Sequence, residues 1–517
     1  MMKTKILAFA LGTVLALGMA FAGGGGQQTT AASEKPVEFT FAYYDNATLP
    51  FKSDWLTVQT VDKLFNVKVN WELVPTSDYT TKTSLWLNSG VNVPDAIGYL
   101  PVTGEYATLA QNGAVVCTSD VGNWTPHFNE RVKEFGLQEE VDRLKLKDGK
   151  LYSLPSLFDK PFYTSGLLLR EDLLAKYGMS APKTYEDLYN FCKAYKKDNP
   201  SSYPFTLLMG TYLLHRMSQP AWDISLHLNG AGGSRVLSWD YSKNAYFTGA
   251  TSSNYREYMR FWHRMYAEGL LDPEMKEPID NDVWNRKMAT GTSIATFAWY
   301  DQIGGITAAS TIPGFKLNMY PPPAGPAGAR AQPRNRTSNG ILFPIATSQK
   351  ANFEQIIRAV DRVFFSKEAA TLWCLGVEGQ TYTMEGNKIK YADSILSSAD
   401  GIYKTMQLRY GCGSAGSQFV WKFDWEMTKY DANYESINHT VASMPGAIRP
   451  IPPVPKLDDR GAERASALMG PLFDTFAVWD DAFLTGKKSL DRDWDAYVAE
   501  MNAKGINDYL ALYNANL

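Results

Sequence analysis

A chain of 517 residues, 45% apolar and 20% charged, has ordinary globular composition and is long enough to need more than one core. The net charge of −3, with no block of lysine or arginine, argues against nucleic acid as a partner. Fourteen tryptophans and 29 tyrosines exceed what cores commonly use and suit a protein that grips flat, half-apolar ligands.

The chain opens like an export leader. Lys3 and Lys5 give a basic start, Ile6 to Ala20 is apolar, and Ala20-Phe21-Ala22 fits a small-x-small cleavage site before Gly23. The apolar run is shorter than the ~20 residues that span a bilayer. Residues 1–22 therefore read as a cleaved signal, and 23–36, rich in Gly, Gln and Thr, as an unstructured linker. No cysteine stands at the junction to carry lipid, so the expected location is the periplasm, without an anchor.

"KPVEFTFAYY" alternates Val37, Phe39 and Phe41 in a strand period. Trp55, Val58, Val61 and Phe65 follow at helical spacing, and "VKVNWELVP" alternates again. Strand, helix, strand in this length is a βαβ unit with a parallel pair. "APKTYEDLYNFCKAY" predicts a helix with Thr184 as cap, Asp187 completing a capping box, and Leu188, Phe191, Cys192 and Tyr195 on one face. "YPPPAGPAGARAQPRNR", Tyr320 to Arg336, reads as a surface excursion and "MPGAIRPIPPVP" as a second extended stretch. "NFEQIIRAVDRVFF" predicts a helix capped by Asn352 with Ile356, Ile357, Val360 and Phe364 aligned. Long helices between short strands give an α/β class.

Chemistry-bearing motifs are few. Cys117, Cys192, Cys374 and Cys412 are far apart and read as isolated buried thiols. "GCGSAG" matches a dinucleotide fingerprint, but "SQFVWKFDW" after it is aromatic and strand-like instead of helical, so a glycine turn is expected. Asp491, Asp493 and Asp495 resemble a calcium loop, yet Ala496 stands where the turn needs Gly; an acidic helix start is the better reading. The five histidines form no zinc motif. No metal and no cofactor are called for. Asp424 and Glu426 would face the same way on a strand, which leaves a glycosidase pair as an alternative.

Four blocks together resemble the family 1 extracellular solute-binding proteins of bacterial ABC importers, the maltose-binding-protein-like group, and its larger lipoprotein-type members above all. They are "LNSGVNVPDAIGY"; "DGKLYSLPSLFDKPFYTSGLLLREDLLAKYGMSAPKTYEDLYNFCKAY"; "GTSIATFAWYDQIGG"; and "ILFPIATSQKANFEQIIRAVDRVFFSKEAATLWCLGVEGQTYTMEGNKI". The resemblance implies a periplasmic-binding-protein type II fold, two α/β lobes joined by hinge strands with the ligand cleft between them. Its expected division is 37–157 plus about 345–405 for one lobe and 158–340 plus about 406–517 for the other. It also implies a monomer that binds a carbohydrate, an oligosaccharide in particular, by hinge closure and delivers it to permease subunits in the inner membrane without breaking a bond. The alternatives are a secreted glycoside hydrolase and a binding protein for a non-sugar solute such as a peptide.

Carried onto this sequence, the resemblance nominates Tyr44, Asp45 and Asn46 after the first strand, where the strand-end rule agrees, Tyr99 at the end of "PDAIGY", Trp222 in the second lobe, and Trp299 with Tyr300 and Asp301. Glu378, Trp421 and Asp424 are added as aromatic or acidic residues near loops, and Arg449 as a partner for a hydroxyl or a uronate.

Overall fold

The computed structural model describes residues 35–46, 49–101, 105–226, 235–276, 279–398, 400–414 and 416–517. The leader expected over 1–22 lies outside them, as does the linker apart from Lys35 and Pro36. Among the described residues no helix is long and apolar enough to cross a membrane.

The alternation around Phe39 and Phe41 builds the strand Val37–Asp45, which pairs in parallel along its whole length with Val67–Pro75. The helix Leu56–Phe65 joins them and buries Val61 and Phe65, so the expected βαβ unit is present. Ala96–Leu100 pairs in parallel on the other side of the first strand. Thr337–Leu342 then runs antiparallel between Ala96–Leu100 and Leu154–Phe158, and Val420–Trp421 pairs in parallel with Leu154–Phe158 to complete a six-stranded sheet. Its core gathers Phe41, Val61, Val360, Phe364 and Trp373. The helix Phe353–Phe365 buries Ile356, Ile357, Val360 and Phe364 as their spacing requires, but Asn352 makes no side-chain cap. The same helix buries Asp361, whose two carboxylate oxygens accept from the amides of His127 (2.9 Å) and Phe128 (2.8 Å) in the first turn of the helix Pro126–Phe135.

A four-stranded sheet carries the rest. Ser165–Arg170 lies antiparallel to both Leu317–Tyr320 and Ala295–Trp299, and Phe205–Thr206 pairs in parallel with Ala295–Trp299. The capping box forms as expected: Asp187 N donates to Thr184 Oγ1 (3.1 Å) and Thr184 N donates to the Asp187 carboxylate (2.9 Å). Leu188, Phe191, Cys192 and Tyr195 face the core. The long helix Asp459–Thr485 and the last two helices, Trp494–Ala503 and Ile506–Asn514, pack on that same core through Leu472, Phe476, Tyr497 and Tyr509.

The chain passes between the sheets three times: over 159–164, over 321–336, and between Trp421 and Phe423. Thr337–Leu342 and Val420–Trp421 both belong to the six-stranded sheet, whereas the resemblance puts the stretch up to 340 and 406–517 in the other lobe. The Pro/Gly-rich stretch from Tyr320 to Arg336 is one of these connections and no mere excursion. It packs closely enough that a Cβ on Gly325 would stand 2.5 Å from the carbonyl oxygen of Ala221. Beyond it, Ala331 N donates to Ala447 O (2.7 Å) and Arg334 N to Arg449 O (2.8 Å), which ties the second extended stretch alongside.

"SQFVWKFDW" is strand only at Val420–Trp421 and turns into the helix Phe423–Met427. Asp424 and Glu426 consequently share no strand face. Asp424 is exposed and meets Lys160 (3.2 Å), whereas Glu426 is buried against Lys429 (2.8 Å) and Gln418 (2.9 Å).

Candidate functional site

Two adjoining cavities open where the sheets face each other. The larger, about 660 Å³, lies beside Trp299, Tyr300 and Asp301 at the end of the strand Ala295–Trp299. The smaller, about 250 Å³, lies beside Tyr99, Phe158, Trp421 and Arg334. Thr164, Tyr403, Tyr430 and Tyr434 line both, so the two form one cleft. Its walls come from the carboxyl ends of Ala96–Leu100, Leu154–Phe158 and Ala295–Trp299 and from the connections between the sheets. In open α/β sheets ligands collect beyond such strand ends.

Aromatic faces dominate. Tyr403 and Tyr430 stack with centroids 4.8 Å apart, Tyr430 meets Tyr434 at 4.3 Å, and Tyr434 meets Tyr300 at 4.3 Å. Across the smaller cavity Phe158 and Trp421 lie parallel at 5.5 Å. Tyr44 packs on Tyr99 at 4.5 Å, and Tyr99 holds a left-handed backbone (φ 57°), a conformation uncommon for a bulky side chain and often found at functional positions.

Polar groups are set among the rings. The Tyr300 hydroxyl donates to Asp431, whose other oxygen accepts from Asn433 N (3.0 Å) and Tyr434 N (3.0 Å) at the start of the helix Ala432–Ser443. Burial, reinforced by that carboxylate, pushes the Tyr300 hydroxyl far above the usual phenol range, so it stays a donor. Lys429 and Glu426 form a fully buried pair below the rings. Arg334 donates from Nη2 to Thr164 Oγ1 (2.6 Å) and reaches Ser165 Oγ (3.5 Å). Such a set, ring faces with a few convergent donors and acceptors, fits a ligand with apolar faces and polar edges.

Of the residues nominated from sequence, Tyr99, Trp299, Tyr300, Asp301 and Trp421 line the cleft, with Tyr44 packed behind Tyr99. The others stand elsewhere. Trp222 is 5% exposed and packs on Tyr185 (4.7 Å) and Tyr258 (5.3 Å) inside the core of the four-stranded sheet. Its apolar bulk serves packing, which corrects its placement as a cleft aromatic. Asp45 turns back to accept from Phe51 N (2.8 Å), and Asn46 is exposed. Glu378 is exposed in the turn before the hairpin Tyr382–Glu385 and Lys388–Tyr391. Asp424 points to solvent with Lys160, and Arg449 shares the Asp223 carboxylate (2.7 Å) with Arg330. Sequence reasoning missed Phe158, Thr164, Arg334, Tyr403, Tyr430 and Tyr434. The repeated tyrosines of 403–434 were the available signal.

Comparison with known proteins agrees with this architecture. The fructooligosaccharide ABC transporter substrate-binding protein FusA of Streptococcus pneumoniae is 23% identical over 376 residues, 65% of each chain. The lipoprotein LipO of Bacillus subtilis is 22% identical over 333 residues, 62% of each. The alignments thus span less than two thirds of these curated relatives. A crystal structure of an extracellular solute-binding protein from Bifidobacterium longum subsp. infantis superimposes with a TM-score of 0.70 at 17% identity, over 94% of this chain and 99% of that one, and identifies the two-lobe type II periplasmic-binding fold. With residues 56–361, more than half of its length, matching the model for bacterial extracellular solute-binding proteins, the chain belongs to that family.

Proposed function

We propose that this protein is the extracytoplasmic solute-binding subunit of an ABC importer, and that it takes up an intact oligosaccharide between its lobes and delivers it to permease subunits in the membrane. The cleft carries this reading: a continuous, ring-lined space of about 660 and 250 Å³ between two sheets that three connections link among the described residues. Its size lies within the roughly 300–1,000 Å³ usual for ligand sites. Sugar C–H faces stack on tyrosine and tryptophan rings, while hydroxyls bridge to Asp301, Asp431 and Arg334. Kinship with FusA, whose name records a fructooligosaccharide transporter, supports the same class of solute.

The lobes we assign are 37–158 with 337–422, and 163–330 with 423–517. A solute that touches both lowers the free energy of the closed form only, so it draws the hinge shut, and the permease reads closure. We place the protein free in the periplasm after removal of its leader, acting as a monomer. In this reading the solute stays intact, and the fate of the carboxyls nominated for hydrolysis supports it: Asp424 meets Lys160 at the surface and Glu426 is held in a buried ion pair.

The test is a thermal-shift screen over mono- and oligosaccharides, followed by small-angle scattering. A saccharide at 100 times its dissociation constant should add about 2.7 kcal/mol to the folded state. It should also reduce the radius of gyration. The absence of any saccharide response, or scattering unchanged by a tightly bound one, would overturn the reading.

A further inference from the structure

We propose that the saccharide carries a carboxylate, as a uronate does, and that Arg334 receives it; this rests on the carbohydrate reading above. The connection "GARAQPRNR" carries three arginines, of which Arg334 lines the cleft, and their fates differ. Arg330 pairs with Asp223, a carboxylate it shares with Arg449 (2.7 Å), and Arg336 pairs with Glu140 (2.8 Å). Among the described residues Arg334 pairs with no carboxylate. Its Nη2 donates to the hydroxyls of Thr164 and Ser165, and its Nε and Nη1 have no partner there.

A half-buried guanidinium that faces a cavity and has no carboxylate is placed to receive an anion from that cavity. The need is greater here because burial and the positive charge of Arg216 both act to destabilise the cation. Two neutral hydroxyls could be held equally well by an uncharged amide, so they do not explain the charge. The residue lines the smaller cavity, half-buried, next to ring faces suited to a pyranose. A second group in the same cavity also lacks its partner. Gln418 is 1% exposed, its amide nitrogen is used by Val420 O (3.2 Å) and Glu426 (2.9 Å), and its Oε1 accepts from nothing among the described residues. An unused acceptor and a guanidinium without a carboxylate, lining one cavity, match a uronate, which presents hydroxyls as well as a carboxylate.

The experiment is isothermal titration of the mature chain with uronate trisaccharides, galacturonate, mannuronate and glucuronate, and with their carboxyl-reduced, neutral counterparts. At least one acid form should bind about 10- to 100-fold more tightly than its reduced form, the range expected for charge-assisted hydrogen bonds. In Arg334→Gln that ratio should fall to near one. Equal or better binding of neutral trisaccharides, or a preference unchanged by Arg334→Gln, overturns the inference and leaves the carbohydrate reading standing. Binding of peptides and of no saccharide, acidic or neutral, overturns both. Should Arg334→Gln fail to fold, the ratio measured on the unaltered protein decides alone.

Discussion

The rings of Tyr403 and Tyr430 lie 4.8 Å apart and 22° from parallel, one carried by the helix Gly401–Thr405 and the other following the helix Phe423–Met427. Neighbouring Ile402 packs with the cluster of Cys374, Tyr391 and Met406, whereas Tyr430 packs with that of Leu168, Phe423 and Tyr434. The stack therefore joins side chains rooted in separate cores. A double-mutant cycle with Tyr403→Ala and Tyr430→Ala, read by urea unfolding, should return a coupling of about 0.5–1.5 kcal/mol. Each single change should also weaken saccharide binding. A coupling of zero would mean that the rings act independently.

Trp222 and Trp299 should separate stability from binding. Trp222→Ala empties a core site and should cost about 3–5 kcal/mol. Trp299 is half-buried beside the larger cavity, so Trp299→Ala should lower the melting temperature far less while removing the ligand-induced shift. Melting curves with and without saccharide check both, and a shift that survives Trp299→Ala would remove that residue from the site.

Glu426 and Asp424 make a similar contrast. Removing the charge in Glu426→Gln strands Lys429 in the interior and should cost about 3–5 kcal/mol. Asp424→Asn breaks only an exposed pair and should change stability by less than about 1 kcal/mol. Chromatography after long incubation with oligosaccharides should show no shortened products; any that vanish with Asp424→Asn would revive a hydrolytic role.

Asp361 should leave a pH signature. Burial pushes its carboxyl up to about 7 from the ordinary 3.8, and the His127 and Phe128 amides keep it from rising further. A carboxyl harder to ionise in the fold than outside it contributes stability below the unfolded value. That contribution is lost as pH rises from about 4 to about 7, on the order of 4 kcal/mol at most. Asp361→Asn cannot titrate. The stability difference between the two proteins, followed by urea unfolding from pH 4 to 7, should shift against the native residue, and a flat difference would refute the assignment.

What could be read before the structure was local. The βαβ unit and the capped helix at Tyr185–Asp198 follow from spacing within a dozen residues, and so does the buried face of Phe353–Phe365. Trp299 was legible through the family resemblance of "GTSIATFAWYDQIGG", and it does stand at a strand end beside the larger cavity. Trp222 was not, since the same resemblance marks an aromatic position but not the direction its ring faces, and Tyr185 and Tyr258 enclose it from distant helices. Arg334 was hidden in a Pro/Gly-rich stretch that looks like surface until the strand of contacts from Ala447 and Arg449 covers it. Tyr403 sits on a short helix, Tyr430 in the turn after another and Tyr434 in the first turn of Ala432–Ser443, so no periodic signal links them.

The three connections bear on how the chain assembles. The edge of Leu154–Phe158 waits for Val420–Trp421, and the core around Ala295–Trp299 waits for the helices that end at Asn514. A polypeptide threaded N-terminus first through an export channel cannot complete either half until nearly all of it has emerged. The first sheet lacks an edge strand until Trp421 is free, and the second core lacks its cover until the last helices arrive.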